Sequence, residues 1–119
     1  MPDPSSLRVD PELAALRGEL DGIDEALFAL VRDRIRCIER VGAIKAQAGM
    51  PVFQPGRAAE VQRQAAARAR EHGLDEGFLV RLADLLMEEA IRIEEAVVAQ
   101  TGVAQAGASK DAPANSPPT

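Results

Sequence analysis

The chain has no tryptophan and no tyrosine, and only three phenylalanines among its 119 residues. Pleated sheets are built largely from aromatic and β-branched side chains, so this composition speaks against a sheet-rich core. Cysteine and histidine occur once each, as Cys37 and His72. A lone thiol excludes an internal disulfide framework, and one of each residue is too few for a zinc site. No Ser/His/Asp arrangement, glycine-rich phosphate loop or acidic cluster with metal-ligand spacing is present, and no segment repeats. Any chemistry here must therefore run without a nucleophile, a metal or a cofactor. The net charge is −5 and no basic run offsets it, which argues against a nucleic-acid partner. Residues 1–10 contain no apolar signal core, and no stretch approaches the ~20 apolar residues that cross a bilayer. The expectation is a cytoplasmic protein that engages neither nucleic acid nor membrane.

What is abundant is Ala, Leu, Arg and Glu, with 46% apolar and 28% charged residues, the composition of an all-α fold. Residues 1–10 read as a disordered, proline-containing lead-in, 11–100 as one helical domain, and 101–119 as a disordered tail rich in Gly, Ala, Ser and Pro. The first helix starts at an Asp10 cap with Pro11 in its first position and meets no breaker until Gly49 and Pro51. At ~1.5 Å per residue its roughly 38 residues span about 55 Å, more than the rest of a small domain can cover. A second helix should run from about Pro55–Arg57 to Glu71. The His72-Gly73-Leu74-Asp75 connector then supplies a left-handed cap at Gly73 and a new N-cap at Asp75. The third helix should extend from Glu76 to about Gln100, with Phe78, Leu82, Leu85, Leu86, Ile93 and Val97 facing inward. Three helices of such unequal length bury the long one best as an intertwined homodimer, two long helices side by side and closed by the partner's shorter ones.

The chemistry must come from charged residues that the pattern turns inward. The apolar positions of the long helix step through Leu13, Leu16, Leu20, Ile23, Leu27 and Leu30, then land on Arg34, return to Ile38 and Val41, and land again on Lys45. A cation facing a core is costly unless an anion meets it. That anion is either a carboxylate of the fold or a bound ligand, unless the side chains snorkel outward. Arg34 and Lys45 lie three turns apart on one face, roughly 16 Å along the axis, a spacing suited to a small molecule with two negative groups. Arg17 reads by itself as a solvated helix residue, although an antiparallel dimer would carry it to the middle of the partner helix. Arg57, after Gln54-Pro55-Gly56, is either a surface arginine or a cation held by a rigid loop. Glu94 has Ala90, Ile91, Val97 and Val98 as its helical neighbours. That setting disfavours a bare carboxylate, so Glu94 reads either as a neutral acid able to donate a hydrogen bond or as one half of an ion pair with a nearby arginine. Cys37 reads as a small core residue, and His72 as a polar helix end.

Together these residues resemble the all-α chorismate mutases. The resemblance is carried by Leu16-Arg17 followed by Ile23-Asp24-Glu25, then Arg34, Val41-Gly42-Ala43-Ile44-Lys45, Pro51-Val52, Arg57 and the 72–75 connector, and it covers about residues 13–97. It implies an intertwined homodimer with two shared sites and a cofactor-independent isomerase of aromatic amino acid biosynthesis (the shikimate pathway). The reaction implied is the pericyclic rearrangement of chorismate to prephenate, with no covalent intermediate. Carried over by motif, Arg17 of one subunit with Arg34 and Arg57 of the other would hold the two substrate carboxylates, a task suited to bidentate arginine. Lys45 and Glu94 would address the ether oxygen of the breaking bond, and Gln54 would line the ring pocket through its backbone.

At two positions the chain departs from the usual bacterial pattern. Ala58 stands where a glutamate commonly follows the loop arginine and receives the substrate's 4-hydroxyl, and Ala90 stands where a small polar residue is common. Two relatives of the family are therefore alternatives. One is the 4-amino-4-deoxychorismate mutases of antibiotic biosynthesis, which the 51–57 loop and the 88–95 segment resemble more. The other is the isochorismate pyruvate lyases. A non-catalytic helical dimer is the remaining alternative.

Overall fold

The computed structural model describes residues 10–111, with side chains described as far as Gly102. The regular structure among the described residues is entirely helical: α1 (Pro11–Ala48), α2 (Pro55–His72) and α3 (Glu76–Asp111). None of these helices is long and apolar enough to cross a membrane. The chain falls into two compact units, Met1–Arg34 and Ile35–Thr119, which divide within α1.

In the first unit the helix begins as its sequence dictates. Asp10 Oδ1 accepts a hydrogen bond from the Glu12 amide at 3.0 Å, satisfying one of the amides orphaned at a helix start, and the Asp10 carbonyl accepts the first intrahelical bond from Ala14 at 2.9 Å. Pro11 occupies the first position, where a missing N–H costs nothing. Leu13, Leu16, Leu20, Ile23, Leu27 and Leu30 are each between 43% and 65% exposed. The apolar stripe is present, and a single chain leaves it open to water.

The second unit is organised by local caps. At the end of α1, Gly49 takes a left-handed φ of 65°. Its amide reaches the Ala46 carbonyl at 3.4 Å and the Met50 amide reaches Lys45 at 2.9 Å, the paired bonds of a Schellman stop. The same device ends α2, where Gly73 has φ 69° and Leu74 donates to the Ala69 carbonyl at 2.7 Å. Asp75 then starts α3, its Oδ2 receiving the Phe78 amide at 2.7 Å. The resulting α2–α3 hairpin is cross-braced by Gln62 Nε2 donating to Asp84 Oδ1 at 2.8 Å.

Three expectations are corrected. The buried line of α3 is Ala83, Ala90 and Glu94, whereas Phe78, Leu82 and Leu85 are 53%, 37% and 62% exposed. Small residues let helices approach closely, and the bulkier ones point to a face that one chain does not cover. Cys37 is exposed and is no core residue. Finally, α3 continues to Asp111, past the end expected near Gln100. Ala104, Ala106 and Ala108 favour helix and no proline intervenes before Pro113. Of the expected lead-in and tail, residues 1–9 and 112–119 lie outside the described residues.

Candidate active site

Lys45 sits in the last turn of α1, where the negative end of the helix dipole favours a cation. The left-handed turn at Gly49 folds the chain back so that Val52 presents its carbonyl to the lysine, and Nζ donates to it at 2.8 Å. From α3, Glu94 brings Oε1 to 2.7 Å from the same Nζ. The two side chains are only 15% and 6% exposed. Burial on this scale removes most solvent screening, so each charge depends on the other. The carboxylate oxygen lies at ion-pair distance yet off the direction of a hydrogen bond, and Oε1 accepts none. Of the ammonium's three N–H groups, one is committed to Val52, which leaves donor capacity beside the pair.

Close approach of the helices makes this meeting possible. Gly42, one turn before Lys45, is buried against α3. A methyl group on Gly42 would lie 3.2 Å from Glu94 Cα and 3.2 Å from Val97 Cβ. An alanine there would press on the α3 backbone.

Lys45 and Glu94 open onto a cavity of about 60 Å³. Val52, Phe53 and Gln54 of the α1–α2 loop form one wall, and Arg57 and Ala58 come from the first turn of α2. Met87, Ala90 and Ile91 close the α3 side. Gln54 takes an extended backbone at the head of α2 (φ −125°, ψ 105°) and makes no side-chain cap. Its carbonyl accepts the Ala58 amide at 3.1 Å. Arg57 borders the cavity but is 62% exposed and pairs with Glu60 at 3.3 Å, a contact of ~0–1 kcal/mol that a stronger anion can displace. The surroundings are thus a buried cation–anion pair, a displaceable arginine and an apolar wall.

Of the six residues singled out from sequence, the structure brings together Lys45, Gln54, Arg57 and Glu94. Arg17, exposed, and Arg34, half-buried, belong to the N-terminal unit. Glu94 is an ion-pair member, as one of the two readings held, but its partner is Lys45 and not a neighbouring arginine. Arg92, two positions away in sequence, is taken by Glu89 at 2.7 Å on the solvent face. Sequence reasoning missed Gly42 and the Val52 carbonyl. A carbonyl leaves no trace in side-chain chemistry. The glycine did leave one, since an isolated glycine inside a helical pattern usually has a packing reason.

The family model for chorismate mutase type II matches residues 16–95. The chain belongs to the type II chorismate mutase family. It is by that membership an isomerase of the chorismate mutase type. Among curated relatives, a 4-amino-4-deoxychorismate mutase of Streptomyces venezuelae is 44% identical over 75% of this chain and 86% of its own length. A second protein of that name, from Streptomyces pristinaespiralis, is 41% identical over 78% of this chain and 71% of its own. A chorismate mutase of Methanocaldococcus jannaschii is 26% identical over 76% and 91%. Each match spans most of both chains, so the likeness concerns the whole mutase domain.

Proposed function

We propose that this chorismate mutase-family protein rearranges 4-amino-4-deoxychorismate, with Lys45 and Glu94 at the reacting ether oxygen. The reading of the reaction is carried by the Lys45–Glu94 pair, 2.7 Å apart and buried at the edge of a cavity. A pericyclic shift needs no nucleophile. It needs the flexible substrate held with its side chain over the ring and a fixed positive charge where the breaking C–O bond leaves negative charge. Lys45 supplies that charge, and because Glu94 and Val52 already hold it in place, little reorganisation is required during reaction. Glu94, as the counter-charge 2.7 Å away, orients the ammonium toward that oxygen. Stabilisation of this kind acts on the transition state more than on the substrate.

Arg57, with Arg34 and the Arg17 of a second subunit, binds the substrate carboxylates in this reading, and Gln54 contributes its backbone to the ring pocket. The size of the cavity supports a site completed by another copy: about 60 Å³ is well below the ~300–1,000 Å³ of typical ligand pockets. Support for the homodimer comes also from the open stripe of α1, where each leucine or isoleucine covered contributes about 1.5–3 kcal/mol. An apolar groove lined by Val61, Ala65, Leu79, Leu82 and Leu86 offers a surface of matching character on the α2–α3 hairpin.

The amino substrate is favoured over chorismate by the two Streptomyces relatives. Ala58 and Ala90 line the cavity and give a 4-hydroxyl no acceptor. Chorismate itself is the second reading, favoured by the archaeal relative, which is matched over 91% of its length. The test is a comparison of kcat/KM for 4-amino-4-deoxychorismate, chorismate and isochorismate with purified protein. Preference for the amino compound by tenfold or more is expected. Preference for chorismate reverses the substrate assignment, release of pyruvate from isochorismate makes the protein a lyase, and no turnover of any of the three leaves a non-catalytic dimer.

A further inference from the structure

We propose that Gly42 is a positioning residue for the rearrangement: its missing side chain lets α1 seat against Glu94 closely enough for Lys45 to reach both the carboxylate and the cavity. The inference rests on the reading of Lys45 and Glu94 as the reacting pair.

Glycine in a helix interior is destabilising relative to alanine, because it adds backbone freedom to the unfolded chain and buries nothing itself. α1 contains Gly18, Gly22 and Gly42, and only the last has a neighbour that explains it. A methyl group on Gly18 or Gly22 meets nothing within 4 Å, whereas on Gly42 it meets Glu94 Cα at 3.2 Å, Val97 Cβ at 3.2 Å and Glu94 Cγ at 3.4 Å. The first of these is backbone and cannot swing aside, so relief requires α3 to give by a few tenths of an ångström relative to α1 at this point.

Glu94 would move with it. Its carboxylate is held at 2.7 Å from a lysine one helical turn beyond Gly42, and that lysine is pinned from the other side by Val52 at 2.8 Å. A shift of a few tenths of an ångström at Gly42 therefore falls on the separation between the cation and its counter-charge, while Val52 holds the cation back. The Gly42 contact touches none of the arginines assigned above to the substrate carboxylates. The signature of Gly42 is accordingly a loss of kcat with KM largely kept.

The experiment compares Gly42→Ala with Gly18→Ala in the full chain. Gly18 lies on the face of α1 opposite the leucine stripe, at 100° per residue. For each variant kcat, KM and Tm are measured with whichever substrate the wild type turns over, and the Lys45 Nζ–Glu94 Oε1 distance is read from a crystal structure. Gly42→Ala is expected to lower kcat by about 10–100-fold, the scale of a sub-ångström to 1 Å misplacement, with KM within about threefold and the ion pair lengthened. Gly18→Ala is expected to leave kcat unchanged. A Gly42→Ala enzyme with wild-type kcat overturns the proposal, as does one whose kcat falls while the pair stays at 2.7 Å. Should Gly42→Ala not fold, adding Val97→Ala thins the packing around the site by removing the valine methyls, while the close contacts to Glu94 Cα and to the Cβ of residue 97 stay in place. The double variant must then turn over more slowly than Val97→Ala alone, and equal rates overturn the proposal. Wild-type protein inactive on every substrate defeats the underlying reading, whereas an active wild type with an equally active Gly42→Ala defeats the positioning role alone.

Discussion

Lys45 of α1 and Glu94 of α3, 49 positions apart in sequence, neutralise each other at 2.7 Å with side chains 15% and 6% exposed. Each is a residue that the helical pattern places among apolar neighbours, and each is tolerable there because of the other. The pair therefore carries two loads at once. It holds α1 against α3, and it stores a buried, oriented ammonium next to a cavity.

Separating those loads requires a double substitution. Lys45→Met strands a buried carboxylate, which typically costs about 3–5 kcal/mol, whereas replacing both members of such a pair by apolar residues is often neutral or stabilising. Lys45→Met should therefore lower Tm and reduce kcat by about 10²–10³-fold, the effect of deleting one transition-state donor. Lys45→Met/Glu94→Met should regain Tm and stay inactive. Glu94→Gln, which keeps the shape and provides a donor, should retain far more activity than Glu94→Ala. Thermal unfolding read beside initial rates checks all four, and a double variant with restored turnover would remove the pair from the mechanism.

The open stripe of α1 makes a prediction about assembly. Leu27 is 50% exposed and belongs to the leucine line, so Leu27→Glu introduces a charge wherever that line is covered. Sedimentation should show wild-type protein at twice the 12.7 kDa chain mass and the variant at the chain mass, with activity lost alongside. A wild-type monomer with full activity would contradict a shared site.

On the solvent face of α3 the electrostatics are simpler. Arg92 donates to both oxygens of Glu89 at 2.7 Å. This hydrogen bonding, reinforced by the guanidinium charge, holds the Glu89 carboxyl below its ordinary 4.5 and raises Arg92. On α2 the hydrogen bond from Arg68, at 2.6 Å, depresses Glu71 in the same way. A carboxyl depressed in the folded state contributes stability that is present above its unfolded value and is lost as pH falls through the folded value. The contribution of these pairs should thus vanish only below about pH 4.5. Both pairs are surface-exposed and of small effect. Carbon-detected NMR titration should place Glu89 below the ordinary range in wild type and return it there in Arg92→Ala, and an unchanged Glu89 would deny the interaction.

The sequence by itself determined where α1 and α2 start and stop and where α3 starts. Asp10, Pro11, Gly49, Gly73 and Asp75 act through hydrogen bonds to residues a few positions away, so their effect is readable from neighbours, and α1, α2 and the start of α3 fall where those residues put them. The same locality marked Arg34, Lys45 and Glu94 as charges on apolar faces and, with the motif around them, pointed to the family. Only the tertiary structure decided which charge answers which. Pairing between α1 and α3 depends on a loop reversal and on the approach distance of two helices, and no periodicity encodes either. Periodicity also registers apolarity without saying what covers it, which is why Cys37, Phe78 and Leu85 were expected inside and stand exposed. The role of Gly42 belongs to the same class, because in sequence it is a weak helix former, and only packing against Glu94 and Val97 makes its missing Cβ the feature that matters.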